Sequence, residues 1–400
     1  MPWKQTDPMT EKTQMIIEYL SGDYAVAELA RRHGVSRKSV YKWIRRHGQE
    51  SWAGLAERGR APQDHPNQLS AQLEEAILGL KKRWPDWGAP KLRHKLRASL
   101  GPDEHCPAES TVSGVLKKHG LVKPPRRRRR AIPGGVGALS QGAAPNALWC
   151  VDFKGWWRTG DGRRCEPLTV TDAWSRYLLR CVGLSAGTGA ALVRPHFELL
   201  FREYGLPEAI RSDNGPPFAS TGLAGLSALS VWWLRLGLRL ERIEPGCPQQ
   251  NGCHERMHLA LEQSQARRAR THLAAQQRAL AQFRQEYNHE RPHEALAQCV
   301  PGALYQPSAR PFPSRLPPPR EYPQSWERRQ VRGWGQMKWG GHEVAVSRAL
   351  AGEGIGLEPC GDGEWKVWFE QLQIATFDER ARRLRGIPRL PKAKGQEVAA

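Results

Sequence analysis

The sequence predicts a multidomain protein with an N-terminal all-α region, a central α/β domain and a small C-terminal all-β domain. Three observations support this fold class. Apolar residues recur at helical spacing through about the first 120 positions. β-rich runs then alternate with helical segments. A Pro-rich stretch finally precedes short Trp-bearing runs that are typical of strands. With 400 residues, the chain also exceeds the usual size of one domain.

The composition indicates a polyanionic partner. The chain carries 61 Lys and Arg against 40 Asp and Glu, a net charge of +21. This balance is too basic for a typical metabolic enzyme and makes nucleic acid the first candidate. No run approaches the ~18 apolar residues of a membrane span, and the N-terminus lacks a signal-peptide core, so we expect a cytoplasmic protein that binds no membrane. The eight cysteines form no Cys-x-x-Cys pair and are expected to be free thiols.

Residues 10–60 are predicted to form a helix-turn-helix DNA-binding domain. The run TQMIIEYLSGDYAVAELARRHGVSRKSVYKWIRRH is typical of three short helices, with Gly34 in the turn and Ser36 as N-cap. Its last helix would present polar and basic side chains to a major groove, namely Arg37, Lys38, Ser39, Lys42 and Arg45. The alternative is a small helical hairpin with a solvated basic face.

A second helical DNA-binding domain is predicted over residues 68–123, with STVSGVLKKHGL as a possible second recognition helix. A basic linker follows over residues 124–145, because its apolar content is too low for folding. It contains five consecutive arginines that are expected to follow the DNA backbone, or else only to aid solubility: Arg126, Arg127, Arg128, Arg129 and Arg130.

The α/β domain is predicted over residues 146–305. Strand-like runs LWCVDFK, PLTVTD and YLLRCVGL precede a helix, a strand EAIRSD and one long helix from about Cys253 to Tyr287. A Pro-rich linker is predicted over residues 306–324 and a small β-barrel-like domain over residues 325–382. The order of strands and helices favours a mixed sheet flanked by helices.

Three carboxylates are candidates for metal ligands. Asp152 lies in the strand LWCVDF, where a carboxylate needs a partner. Asp213 ends a second strand, before the turn-forming Asn-Gly-Pro. Glu255 lies one turn into the helix that starts at NGCHERMH. If the two strands are neighbours, all three side chains reach one rim of the sheet, where they could hold two divalent ions about 4 Å apart for phosphodiester chemistry.

These segments resemble a known family. The runs LWCVDF, TVTDAWSRY, IRSDNGPPF, EPGCPQQNGCHERMH and YNHERPHEAL are similar to the integrase-type catalytic core of bacterial insertion-sequence transposases, and the resemblance covers about residues 10–305. It implies a ribonuclease H-like fold with Asp152, Asp213 and Glu255 as a DDE triad. It also implies two Mg²⁺ (or Mn²⁺) ions, cleavage at terminal inverted repeats, strand transfer into target double-stranded DNA, and a homodimer or larger oligomer.

The resemblance implies supporting residues as well. Asp172 in TDAWSR would have a supporting role, or else form a structural salt bridge to Arg176. Arg291 and His293, in NHERPHEAL, would touch DNA or brace the site. The remaining positions would shape the loops at the site and contact DNA, or only make turns: Asn214, Gly215, Gln250, Asn251 and Gly252.

Two further interpretations remain open at this point. Asp213 and Glu255 are separated by 41 residues, a few more than the family's commonest spacing, which keeps Glu262 as a second candidate ligand on the same helical face. Residues 254–258 also spell the zinc-peptidase motif H-E-x-x-H. That reading is a distant third, because it leaves the basic helical domains unexplained. The second-ranked function is a DNA-binding regulator that has lost catalysis.

Overall fold

The structure is a computed structural model, and it describes residues 7–59, 69–122, 142–244, 248–265 and 269–386. They belong to two compact units, Met1–Ser70 and Ala71–Ala400, and each is considered by itself. The predicted arginine run 126–130 lies outside the described residues. No helix within the described ranges has both the length and the apolar character that a membrane crossing requires.

The first unit is a helix-turn-helix domain. Its helices are α1 (Pro8–Leu20), α2 (Val26–Arg32) and α3 (Arg37–Glu50). The predicted turn and cap are confirmed, since Gly34 has a φ of 64° and the Ser36 hydroxyl accepts a hydrogen bond from the Ser39 amide over 3.2 Å. Buried side chains from all three helices and the following turn form the core: Met15, Ile16, Leu29, Ala30, Val40, Trp43 and Leu55.

The second unit begins with three more helices, α4 (Ala71–Arg83), α5 (Ala89–Ser99) and α6 (Glu109–Lys118). Proline in the first turn of α5 suits the start of a helix, where no amide donor is needed. Trp84 and Trp87 stack at 4.5 Å in the loop between α4 and α5. Arg83 forms a 3.1 Å ion pair with Glu290, so this helical domain contacts the α/β core.

In the part of the α/β core that the structure describes there are six strands: β1 (Leu148–Phe153), β2 (Trp157–Arg158), β3 (Arg164–Asp172), β4 (Leu178–Leu184), β5 (Ala209–Ser212) and β6 (Arg239–Arg242). Strands β4, β3 and β1 are antiparallel neighbours, whereas β1, β5 and β6 are parallel. Strand β2 pairs with the start of β3. This mixed sheet is the ribonuclease H-like arrangement that the resemblance implies.

Helices cover both faces of the sheet. Helices α7 (Ala190–Tyr204) and α8 (Ala228–Arg235) pack aromatic side chains such as Phe197, Phe201 and Trp233 against one face. Helices α9 (Gly252–Ser264) and α10 (Leu273–His289) pack against the other face, with Met257 and Phe283 in its core. Because side chains alternate along a strand, β3 contributes Leu168 to the first core and Cys165 to the second. A short helix, α11 (Pro301–Leu304), ends this domain.

The prediction of one long helix from Cys253 to Tyr287 was wrong. Helix α9 ends at Ser264 and α10 starts at Leu273. The His272 side chain caps α10 by accepting a 3.2 Å hydrogen bond from Ala275 N, and the Gln276 amide oxygen accepts one from Arg270 N over 3.0 Å. These polar contacts satisfy backbone groups at a new helix start and therefore separate the two helices.

The C-terminal domain is all-β, as predicted. Its strands are β7 (Glu327–Gln330), β8 (Gln336–Trp339), β9 (His342–Ala345), β10 (Gly354–Gly361), β11 (Glu364–Phe369), β12 (Leu372–Asp378) and β13 (Arg383–Gly386). Among the described residues they form a five-stranded antiparallel sheet and a separate β8–β9 hairpin rather than a closed barrel. Its core continues into α8 through Val231 and Leu234, so the segment around α8 joins two domains.

Candidate active site

The three predicted carboxylates come from adjacent elements. Asp152 is near the end of β1, and Asp213 directly follows β5. The two strands are parallel neighbours with Cys150 paired to Arg211, which confirms that they end at the same rim of the sheet. Glu255 lies in the first turn of α9. All three carboxylates are close enough that Asp213 and Glu255 both act electrostatically on Asp152.

Asp152 has the most perturbed carboxyl group of this cluster. Burial raises its pKa to about 7, and the negative charges of Asp213 and Glu255 act in the same direction. A 2.7 Å hydrogen bond from the Phe153 amide to Oδ1 and the cation of Lys154 oppose the rise. A cation between the carboxylates would remove the repulsion that favours the protonated form of Asp152.

The backbone on either side of Asp213 is fixed by Arg242. The guanidinium donates to Ser212 Oγ over 2.6 Å, to the Asp213 carbonyl over 3.2 Å and to the Phe218 carbonyl over 2.6 Å. The carboxylate itself is less well satisfied. Its Oδ1 atom is buried and has no hydrogen-bond partner among the described residues. A buried anionic oxygen without a donor is costly, so this atom suits a cation.

Glu255 is exposed and makes no ion pair or hydrogen bond with the described part of the chain. Within that part, no three His, Cys, Asp or Glu side chains converge closely enough to form a ready-made metal site. The carboxylates are therefore within electrostatic range without being at coordination distance. Their chemistry nevertheless fits hard divalent cations, which prefer carboxylate oxygens.

Glu262, the second candidate ligand, has another partner. Its carboxylate forms a 3.3 Å ion pair with Lys154 Nζ. The Coulomb effect on Asp152 comes from Glu255, so the geometry favours Glu255 as the third carboxylate of the cluster.

The two histidines of the H-E-x-x-H motif face the sheet instead of a metal position. His254 Nε2 and His258 Nε2 lie 2.8 and 2.7 Å from the Thr169 hydroxyl, and His254 Nδ1 lies 2.7 Å from the Thr171 hydroxyl. The hydroxyl of Thr169 thus occupies the point where zinc, at ~2.0–2.1 Å from each nitrogen, would have to bind. Burial lowers the pKa of His258 to about 3 and that of His254 well below its usual value. The zinc-peptidase interpretation is therefore wrong.

This histidine pair also touches the acidic cluster. Thr169 is the cross-strand partner of Asp152, and its hydroxyl lies 2.9 Å from the Asp152 carbonyl. His258 Nδ1 lies 3.9 Å from Asp152 Oδ2, which is too long for a hydrogen bond. The histidines therefore anchor α9 to β3 directly beneath the carboxylates.

Asp172 lies at the end of β3 and is fully buried. Its carboxylate accepts hydrogen bonds from Asn146 N over 2.8 Å and from the amide and hydroxyl of Ser175 over 2.7 and 2.6 Å. These donors, rather than the proposed Arg176 salt bridge, satisfy the charge. Asp172 thus ties the turn after β3 to the start of β1.

The predicted loop residues surround Asp213 and the start of α9. The Asn214 side-chain amide donates to the Ile243 carbonyl over 2.6 Å. Gln250 Oε1 accepts from the Glu244 amide over 2.8 Å. A Cβ added to Gly215 would lie 2.9 Å from Asp213 Oδ2, so glycine leaves room for that carboxylate. Asn251 is buried, with no partner for Oδ1 among the described residues, and Gly252 begins α9.

Arg291 and His293 lie beyond the C-terminal end of α10. Arg291 lines a cavity of about 200 Å³ together with the Trp84–Trp87 loop. His293 packs edge-on against Tyr287 at 4.8 Å between ring centroids, and burial lowers its pKa to about 3. The structure thus places both residues next to the second helical domain.

The predicted DNA-contacting residues of the first unit lie on α3. Four of the five are exposed, namely Arg37, Lys38, Lys42 and Arg45. Ser39 instead lies at the capped start of the helix, with its hydroxyl 3.0 Å from that of Ser36. Tyr41, which the sequence analysis did not select, is 61% exposed on the same helix.

Sequence reasoning missed the polar residues that support the carboxylates, Thr169 and Arg242, and considered His254 and His258 only within the low-ranked zinc interpretation. One signal was available. Positions 254, 257, 258 and 261 of a helix form one stripe, whereas Glu255 falls outside it. That spacing places the histidines and the glutamate on different faces.

Four family models match parts of the chain. A helix-turn-helix domain matches residues 11–62 and a homeodomain-like domain residues 39–116. An integrase core domain matches residues 236–301. The C-terminal domain of IS481 family transposases matches residues 327–385.

Two curated relatives come from insertion elements. The chain is 31% identical over 188 residues to the uncharacterized 31.7 kDa protein of insertion element IS407 from Burkholderia multivorans. It is 31% identical over 238 residues to the uncharacterized 39.2 kDa protein of IS476 from Xanthomonas euvesicatoria. The alignments cover 47% and 59% of this chain and 65% of each relative.

Among solved structures, the HTLV-2 integrase catalytic core domain in complex with magnesium matches with a TM-score of 0.33 and 14% identity, over 41% of this chain and 99% of that one. The matching segments agree with the order of domains along the chain: helix-turn-helix, integrase core, and transposase C-terminal domain. The chain is therefore related to bacterial insertion-sequence transposases that combine an N-terminal helix-turn-helix with an integrase-type, ribonuclease H-like core.

Proposed function

We propose that this protein is a DNA transposase that cleaves the ends of a mobile element and joins them to target DNA. The observation that carries the proposal is the cluster of Asp152, Asp213 and Glu255 at one rim of the sheet, in which burial, and then the charges of the other two carboxylates, raise the pKa of Asp152. Perturbed acids in such clusters are typical of catalytic sites. The match of an integrase core domain to residues 236–301, which include Glu255, supports the same reading.

Asp152, Asp213 and Glu255 would hold two Mg²⁺ or Mn²⁺ ions. When bound, such ions neutralise charge on the phosphate and activate the attacking oxygen. The chain's own residues orient the ligands. The Phe153 amide holds Asp152 Oδ1, and Arg242 holds the backbone of Asp213. The His254 and His258 contacts with Thr169 fix α9, and with it the position of Glu255.

The reaction would take place in two steps. Attack of water on the phosphodiester at an element end releases a 3′-hydroxyl, and this hydroxyl then attacks a target phosphodiester, displacing the 3′-oxygen of the target strand. Two element ends must reach one target, so we propose a homodimer or larger assembly on DNA. The basic face of α3 would bind the terminal inverted repeats through a major groove and its phosphates.

The test is a joining assay with a duplex of the element end and a target plasmid, in Mg²⁺ or Mn²⁺. We expect joined product from the wild type, and a loss of at least about 100-fold, or about 2.7 kcal/mol, for Glu255→Gln. Glu262→Gln is the matched control, since it removes a carboxylate on the same helix that pairs with Lys154. It should retain most activity.

DNA binding by both variants, measured by fluorescence anisotropy, separates chemistry from recognition. Specific binding without joined product from the wild type would refute a transposase and support a DNA-binding regulator that has lost catalysis. Equal losses in the two variants would refute the assignment of Glu255 as the third ligand.

A further inference from the structure

Two adjacent tryptophans near the end of β1 lie on opposite sides of the hairpin that β2 and β3 form. Trp157 points inward, where it packs against the core that α9 and α10 cover, and its Nε1 lies 3.5 Å from Gln276 Oε1. Because side chains alternate along a strand, Trp156 lies on the other side, with 54% of its surface exposed. The hairpin therefore holds one indole in the core and presents the other to solvent.

Two guanidinium groups lie over the exposed indole. Arg158 is two residues further along the chain, and Arg164 is its cross-strand partner in β3, so both lie on the same side of the hairpin as Trp156. Their Cζ atoms are 5.8 and 5.0 Å from the centre of the Trp156 ring, distances at which the π system attracts a cation. These three side chains, Trp156, Arg158 and Arg164, form one exposed surface that we call the Trp156 platform.

The charge of the platform favours an anionic ligand. Arg158 and Arg164 face each other across the two strands, and like charges in that position repel. Arg164 forms a 2.8 Å ion pair with Glu166. Arg158 donates to the Gly162 carbonyl over 2.7 Å, and no carboxylate of the described residues lies within ion-pair distance of it. One guanidinium thus keeps its charge beside an exposed aromatic ring, and a bound anion would relieve the repulsion.

The hairpin is fixed to the core at both of its ends. At the tip, the backbone amides of Gly160 and Asp161 donate to two carbonyls of the segment before α10, over 2.8 and 2.7 Å. At the base, Lys154 Nζ forms a 3.3 Å ion pair with Glu262 of α9. A surface that is already ordered loses little conformational entropy when a ligand binds.

The platform is close to the carboxylate cluster. Trp156 follows Asp152 by four residues, so their Cα atoms are at most about 14 Å apart. Stacked bases along one strand are spaced by about 3.4 Å, and this distance therefore corresponds to about four nucleotides. A strand with its phosphate at Asp152 could reach the platform within that number of nucleotides.

We propose that the Trp156 platform binds single-stranded DNA next to the carboxylate site, with an unpaired base stacked on Trp156 and neighbouring phosphates on Arg158 and Arg164. Every base has a π face that can stack on an indole, and the phosphates supply the anion that the arginines attract. A paired duplex hides its base faces except at its ends, so the platform favours an unpaired end. This inference rests on the proposed function, because it specifies which form of DNA reaches the site.

The test compares an element-end duplex that is fully paired with one that has a short unpaired end, using fluorescence anisotropy. The full chain carries Glu255→Gln, which is expected to bind DNA without reacting. Trp156→Ala should weaken binding to the unpaired end by about 5- to 100-fold and leave binding to the paired duplex unchanged. Trp156→Phe, which keeps an aromatic ring, should restore most of the affinity. Trp334→Ala is the matched control, since Trp334 is 77% exposed in the C-terminal domain.

A second measurement tests the phosphate contacts. For single strands, the logarithm of affinity falls with the logarithm of salt concentration with a slope of about −0.7 for each phosphate neutralised. Arg158→Gln should make this slope less steep by up to about 0.7 for the unpaired end. Arg194→Gln is the control, because Arg194 also lies over an indole, 4.8 Å from the Trp232 ring centre, but that ring is buried. It should leave the slope unchanged.

Thermal unfolding guards against misfolding, because replacement of an exposed side chain should shift the melting temperature by less than about 2 °C. Equal losses of affinity for the paired and unpaired ends, or no loss for either, would overturn the inference. A changed oligomeric state with unchanged DNA affinity would assign Trp156 to a protein contact and overturn it as well. If the wild type fails to join DNA but Trp156→Ala still weakens only the unpaired end, the proposed activity fails and the platform stands. If the wild type joins DNA and that difference is absent, the platform fails alone.

Discussion

Replacing Asp152 with asparagine should stabilise the metal-free protein in a pH-dependent way. Asp152 has its pKa raised to about 7 by burial and by the charges of Asp213 and Glu255. Between about pH 4 and 7, the folded protein retains a proton that the unfolded chain has released. The free energy of unfolding therefore falls as the pH rises through this window, and the loss is complete above pH 7. Asp152→Asn removes this loss.

The magnitude follows from the change in pKa. A rise from the ordinary 3.8 to about 7 corresponds to about 4 kcal/mol at ~1.4 kcal/mol per tenfold change. The Asp152 side chain is 31% exposed, so water and salt screen part of the repulsion and reduce the expected value to about 2 kcal/mol. With about 2–4 °C per kcal/mol for domains of this size, Asp152→Asn should raise the melting temperature at pH 8 by about 4–8 °C.

The assay is thermal unfolding in EDTA at pH 5, 6, 7 and 8. We expect the variant to gain stability over the wild type progressively with pH, with a small difference at pH 5. Asp103→Asn, at an exposed loop position, is the control and should show no such trend. Adding Mg²⁺ at pH 8 should stabilise the wild type more than the variant, because bound cations relieve the same repulsion. A variant that is less stable at pH 8, or equally shifted at every pH, would refute the raised pKa of Asp152.

Three further predictions concern the residues that hold the cluster. Gly215→Ala should reduce joining about tenfold, or ~1.4 kcal/mol, while DNA binding persists, because the added Cβ would lie 2.9 Å from Asp213 Oδ2. Unchanged joining in the plasmid assay would contradict this prediction. Arg242→Met should lower the free energy of unfolding in urea by about 2–4 kcal/mol, since it removes a cation that donates to three oxygens, and an effect below about 0.5 kcal/mol would contradict it. His258→Gln, which can still reach Thr169, should be about 1 kcal/mol more stable in urea than the shorter His258→Asn; the reverse order would favour the 3.9 Å contact with Asp152 as the important one.

The sequence predicted the parts of the site that depend on local pattern. The bulky strand LWCVDF and the Asn-Gly-Pro turn after Asp213 were enough to expect two strand ends, and the parallel pairing of β1 with β5 brings those ends together. The N-cap at Ser36 followed from an equally local signal. Such features can be predicted from the sequence because a strand, a turn or a cap is determined by residues that are close together in the chain.

Contacts between distant segments were not predictable in the same way. Arg83 and Glu290 are 207 positions apart in the chain, and only the fold brings them to the 3.1 Å of their ion pair. The break between α9 and α10 depends on the His272 cap and on Gln276, two polar contacts that helical periodicity does not reveal. In the sequence, Arg242 is likewise one basic residue among many. Only the structure shows the three oxygens to which its guanidinium donates.

Helix α9 shows how a misleading motif can arise from ordinary helix geometry. The buried face of α9 packs against Thr169 and Thr171 of β3. Histidines at positions 254 and 258, one turn apart, lie on that face and form hydrogen bonds with the two hydroxyl groups. The proposed activity also requires a carboxylate at the rim of the sheet, and Glu255 lies in the same first turn of α9 but on a different face. Two independent requirements thus produce the letters of a zinc motif. Burial lowers the pKa of both histidines, so they add no positive charge next to Asp152 at neutral pH.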